Sequence, residues 1–157
     1  MPGTLTHSPA DVFRKVLISL GLGTDPNASP LGAWPVYADG EPDRPDSVIT
    51  VYDTAGTLHG RNMATGEMAE HHGIQVRVRS AAHGAGYTKA RAIAVSIDQD
   101  MYLETVTMGT QAYLVWAAKR TSDVLRLGKE SPTSKRSLFT VNVLVAVQEF
   151  TLVNNCK

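Results

Sequence analysis

Two short blocks of this chain read as strands, Ser47-Val48-Ile49-Thr50-Val51-Tyr52-Asp53-Thr54 and Gly73-Ile74-Gln75-Val76-Arg77-Val78-Arg79-Ser80. In the second block Ile74, Val76 and Val78 fall on one side and Gln75, Arg77 and Arg79 on the other, the two-residue period of a strand with one packed and one polar face. A longer run, Leu138 to Phe150, places Phe139, Val141, Val143, Val145 and Val147 on one face. Thr140, Asn142, Leu144, Ala146 and Gln148 make a mixed second face, which points to burial against another chain. Two further strands are predicted over Leu103 to Met108 and Gln111 to Lys119.

Two segments carry the helical period instead. Phe13, Val16, Leu17 and Leu20 recur at i, i+3, i+4 and i+7, and the punctuation agrees. Ser8 can cap, Pro9 suits the first helical position, Asp11 sits near the positive helix end, and Gly21 or Gly23 can close it. The second stripe is Tyr87, Ala90, Ile93, Ala94, Ile97 and Met101, with Lys89, Asp98 and Gln99 outward and Ala81 to Gly86 as the turn before it.

The remaining segments read as loops. Thr24 to Pro45 is rich in Pro, Gly, Asp and Asn, with Trp34-Pro35-Val36-Tyr37 as one short edge strand. Residues 55–73 predict a long projecting loop with one helical turn around Glu67 to His71. Residues 120–137, with Gly128, Pro132 and a modest basic excess, predict an exposed loop. The expected architecture is α+β, a single domain over residues 1–157. A mainly antiparallel sheet of about five strands carries two helices packed on it, in the order α-β-β-α-β-β-β.

Composition narrows the function classes. The chain has 157 residues, enough for one domain with its own core, and fifteen basic and fifteen acidic side chains cancel. No global field gathers polyanions or holds the chain to an acidic membrane. The lone cysteine, Cys156, forbids an internal disulfide and fits a reducing, cytoplasmic setting. No run approaches the length of a spanning helix and no signal peptide is expected, so no membrane partner is called for.

Candidate chemistry is thin. Glu67, Glu70, His71, His72 and His83 include an i, i+4 Glu/His pair, but adjacent His71 and His72 point to opposite sides, so no metal is expected. Ser80 lies in Arg-Ser-Ala-Ala-His-Gly, which lacks the glycine elbow of a serine nucleophile, and a capping role is expected instead. Gly84-Ala85-Gly86-Tyr87-Thr88-Lys89 lacks phosphate-loop spacing. No catalytic residue and no cofactor is predicted. Arg77 and Arg79 are solvated or pair across a subunit boundary, where guanidinium forks are favoured. Arg126, Lys129, Lys135 and Arg136 form a basic loop surface. Trp34 and Trp116 are candidate anchors for a partner, though Trp116, within a strand, is expected in the core.

Taken together, residues 45–54, Gly73 to Arg79, Tyr87 leading a helix, and Leu138-Phe139-Thr140-Val141-Asn142 resemble the tailed-bacteriophage minor capsid and tail terminator family of siphophages, over residues 8 to 150. The resemblance implies a structural virion protein, assembled in the host cytoplasm and located at the head-proximal end of the tail. Six copies would form a ring that ends tail-tube polymerisation and offers a surface for head-tail joining. Its implied partners are further copies in a homohexamer, the tail tube protein and a head-tail connector or neck protein, with genome DNA passing through the ring without specific binding. On that reading Arg77, Arg79, Arg126, Lys129, Lys135 and Arg136 are the candidate subunit or tube interface. Two rivals stand beside it: a head-completion or neck protein of the same kind of particle, and a small enzyme, which would need convergent acid, base or metal groups.

Overall fold

The computed structural model describes residues 5–38, 40–61, 63–65 and 68–152, the side chains of Met68 and Ala69 excepted. The fold is α+β, with two helices on a curled, mostly antiparallel sheet. Its elements are α1 (Pro9–Ser19), β1 (Val36–Ala38), β2 (Val48–Arg61), β3 (Met68–Ser80), α2 (His83–Gln99), β4 (Tyr102–Met108), β5 (Gln111–Arg120), β6 (Leu125–Lys129) and β7 (Ser137–Thr151). The sheet runs β1-β2-β3-β7-β5-β4, and β6 also pairs with β7.

The first helix begins as the sequence predicts. The Ser8 hydroxyl accepts from the Asp11 amide, Pro9 opens the helix, and Asp11 lies in the first turn. Gly21, at φ +73°, closes the far end, where its amide and that of Leu22 satisfy the carbonyls of Ile18 and Leu17. The buried stripe of α1 lies over β1, β2 and β4, while α2 lies over β3, β5 and β7. Between helices and sheet sit Phe13, Leu17, Ile49, Ile74, Val76, Val78, Ile93, Ile97, Tyr113, Phe139 and Val141, all essentially out of water. Each such aliphatic side chain contributes roughly 1.5–3 kcal/mol by leaving solvent.

Four expectations are corrected. The α2 helix begins at His83, so Ala81 to Gly86 is only briefly a turn, and Gly86 becomes the point of closest approach. A Cβ there would stand 2.9 Å from the Phe139 ring and 2.8 Å from the Ser80 Cβ. Ser80 does not cap α2. Its hydroxyl donates to the Ala82 carbonyl at 2.8 Å and accepts from the Ala82 amide, while Ala82 holds the cap position without a side-chain bond. Most of the 55–73 loop is strand: β2 and β3 continue past the body as a two-stranded arm with register shifts between Thr54 and Thr57 and between Leu58 and Gly60. Residues 68–71 are extended, not helical, and Glu67 and Cys156 lie outside the described residues. Finally, the 120–137 loop contains β6, so the sheet has seven strands where five were expected.

The β1–β2 pair is parallel, and a parallel pair needs a connection that crosses the sheet to return the chain. Here the crossing is made without a helix, by a strap of irregular chain over residues 40–46. It lies on the face opposite α1 and α2, called the outer face below.

Candidate functional site: the outer face and the free edges of the sheet

An irregular strap laid on a sheet buries backbone carbonyls that need donors. Arg79 provides them. Its Nη2 donates to the carbonyls of Pro42 (2.6 Å), Pro45 (2.8 Å) and Asp43 (3.1 Å), and its Nε to that of Asp46 (3.3 Å). Its Nη1 reaches Glu130 at 3.4 Å and Glu41 at 3.9 Å. The side chain is 2% exposed. Arg79 is therefore not a solvated cation: its donors are engaged by this chain's own strap. Arg136 joins the same cluster, donating to the Asp43 carbonyl at 2.7 Å and pairing with Glu130 and Asp43.

Arg77 occupies the next outward position of β3 and is partly exposed. Its guanidinium lies 5.1 Å from the centre of the Tyr52 ring and 3.7 Å from Glu41 Oε2, a cation held between an aromatic face and a carboxylate. Burial pushes the Tyr52 hydroxyl above its ordinary value; Glu41 adds to the rise and Arg77 opposes it. Arg126, Lys129 and Lys135 are exposed on and beside β6. Of the six predicted interface cations, these three and Arg77 offer charge outward, and the structure brings Arg77, Arg79 and Arg136 together around the strap.

The outer face changes character toward β4. Trp116, expected in the core, is 47% exposed. Alternation with the inward Tyr113 and Val115 puts the indole on the outer face, where its Nε1 donates to Gln148 at 3.0 Å, and the register shift between Val115 and Ala117 returns Ala118 to the core side. Tyr102, Leu103 and Phe150 are also exposed at this end of the sheet. Trp34 is half-buried, with the Lys89 ammonium 5.7 Å from its ring centre, and burial lowers the Lys89 pKa.

The histidines do not converge. His59 and His71 meet edge to face at 4.5 Å on the arm, His72 approaches Glu70 at 3.7 Å, and His83 packs on Phe139 at 5.3 Å. Among the described residues no three potential ligands form a group able to hold a metal. Gly84 to Lys89 lies within α2 and is no loop for a phosphate. The arrangement offers surfaces and edges for contact: among the described residues β4 pairs only with β5, and the arm presents Leu58 62% exposed, whereas the outer edge of β1 is taken at Val36, whose amide donates to the Thr24 carbonyl and whose carbonyl accepts from Arg14 Nε.

The model of the bacteriophage tail terminator protein family matches residues 16–129, well over half of the chain. The chain belongs to the bacteriophage tail terminator family. It is a structural protein of the phage tail, from a family that is not one of enzymes. The family places it in the tail of the virion, and among the described residues no helix is long and apolar enough to cross a membrane. No curated protein matches the chain. A solved structure named only by a sequence code aligns over 88% of this chain and 92% of its own at 16% identity, with a TM-score of 0.46, too loose to carry an argument.

In this terminator the sequence missed two features of the outer face. The strap cluster was hidden because Arg79 meets partners more than thirty positions away. The outward indole is misplaced when a tryptophan within a strand is assigned to the core by its size, although alternation with the inward Tyr113 and Val115 sets it outward.

Proposed function

We propose that six copies of this terminator form a ring on the end of the completed tail tube, stop its polymerisation, and present the surface on which the head is joined. The observation that carries this reading is the placement of strand edges without a strand partner among the described residues at opposite ends of one sheet, the β2 edge of the arm beyond Val51 at one end and β4 at the other. Contact between unlike edges of successive copies is head-to-tail, and such a contact closes into a ring when its rotation divides the circle. A ring that matches the tube on one side and offers no second tube-like surface ends growth. The exposed Arg126, Lys129 and Lys135, with Arg77, are the cations available to neighbour or tube on this reading. The partners are further copies of this chain, the tail tube protein and a head-proximal connector, with DNA passing through the opening without base recognition.

The test combines light scattering over a concentration series with electron microscopy of tubes polymerised with and without the protein. A mass near six subunits and rings at one tube end, with growth arrested, are expected. A monomer at every concentration, with tube ends bare and tube length unchanged, overturns the proposal.

A further inference from the structure

The outer face and the strap over it carry four buried polar atoms with no hydrogen-bond partner within bonding distance, Thr50 Oγ1, Thr140 Oγ1, Arg77 Nε and Glu41 Oε1, the Tyr52 hydroxyl standing beside Thr50. They are not scattered. Thr50 faces Arg77 and Arg77 faces Thr140 in a single row across β2, β3 and β7. Glu41 stands over that row, its two carboxylate oxygens 3.7 Å from Arg77 and 3.9 Å from Arg79. Thr50 and Thr140 are 0% and 1% exposed, so bulk solvent does not serve them.

Buried hydroxyls and charged groups in native proteins are hydrogen-bonded, and where the protein supplies no partner an internal water does, typically with about three bonds of its own. We infer that the space under the strap is a built site for ordered water, holding at least two molecules, one on each side of the Arg77 side chain. Two follow from spacing. Neighbouring strands lie about 4.8 Å apart, so hydroxyls on β2 and β7 are separated by roughly 9–10 Å with Arg77 between them, too far for one water to bridge. The chemistry selects water over an ion. The site offers an acceptor in Glu41, a donor in Arg77 Nε and two hydroxyls that do either, which matches a neutral molecule that both donates and accepts. An anion would meet the Glu41 carboxylate, and a metal cation would meet two guanidinium groups.

The consequence is a strap held in two ways, by direct bonds at Arg79 and through water at Arg77. The test uses the purified full chain in two measurements. A crystal structure fine enough to resolve water is expected to show at least two waters within hydrogen-bond distance of the four atoms. Oxygen-17 relaxation dispersion, which counts long-lived internal waters, is expected to lose roughly two molecules in a Thr50→Val, Thr140→Val double variant, whose side chains keep the shape and remove the hydroxyls. Empty space or an ion in the wild-type density, or a dispersion amplitude that the folded double variant leaves unchanged, overturns the inference. Should that variant fail to fold, the wild-type density decides alone.

Discussion

Arg79 serves four strap carbonyls and faces two carboxylates from a nearly solvent-free position. Replacing it strands the carbonyls of Pro42, Pro45 and Asp46, while the Asp43 carbonyl and Glu130 keep Arg136 and Glu41 keeps Arg77. Arg79→Met is expected to lower the unfolding free energy by about 3–5 kcal/mol, the range for breaking a buried pair from one side, read from urea unfolding. Arg79→Lys is expected to recover little, since an ammonium lacks the planar fork that reaches several carbonyls at once. Reversing this charge therefore reports on folding of the strap before it reports on assembly. A second residue-level prediction concerns acid. Hydrogen bonds from the Thr6 hydroxyl and backbone amide hold Glu149 below the ordinary carboxylate range, with His7 adding to the fall and burial opposing it. A carboxylate with a depressed folded pKa contributes stability above its unfolded value of about 4.3, and that contribution is lost as pH falls through the folded value. The difference in melting temperature between wild type and Glu149→Gln is expected to be present at about pH 6 and to shrink below about pH 4.

Elements with a repeating apolar face were legible in advance, and those without one were not. The α1 stripe with its Ser8 cap, the alternation of β3 from Ile74 to Val78 and the valine run of β7 each bury against the core, so their periods survive in the sequence. The arm has no core to face, and its strands carry Gly, Thr and His, which turn chemistry explains equally well. The β6 strand is short, mostly exposed and bulged near Gly128, so its sequence has the look of a loop. The early start of helix α2 is hidden in the sequence because its first turn, His83 to Gly86, carries two glycines, which read as a turn, and only the contact of Gly86 with Phe139 shows why a glycine is needed there. Since an isolated two-stranded hairpin is marginal in water, the arm adds little to the fold that bears it. Removing residues 57–71, so that Ala55, Gly56 and His72 turn between Thr54 and Gly73, is expected to shift the melting temperature by no more than about 2–4 °C, the effect of roughly 1 kcal/mol in a chain of this size. On the proposed function the same deletion abolishes the six-subunit mass in sedimentation. A large loss of melting temperature would show instead that the arm is part of the core.

At the scale of the whole molecule the site was legible only as an absence of chemistry together with a family likeness; its geometry depended on meetings between distant segments. The β7 strand is where most of those meetings occur. One edge takes β3 from His72 to Ser80, and the other takes β5 and then β6 in series along its length. The halves β1-β2-β3 and β5-β4 touch through it alone within the sheet. It is also the last strand in chain order, which sets a schedule for biosynthesis. A nascent chain carries two incomplete half-sheets with open facing edges until Ser137–Thr151 has emerged, and only then can both be zipped at once. Pairings between such distant positions make folding slow, and the waiting edges are the surfaces through which unfinished chains would adhere to one another.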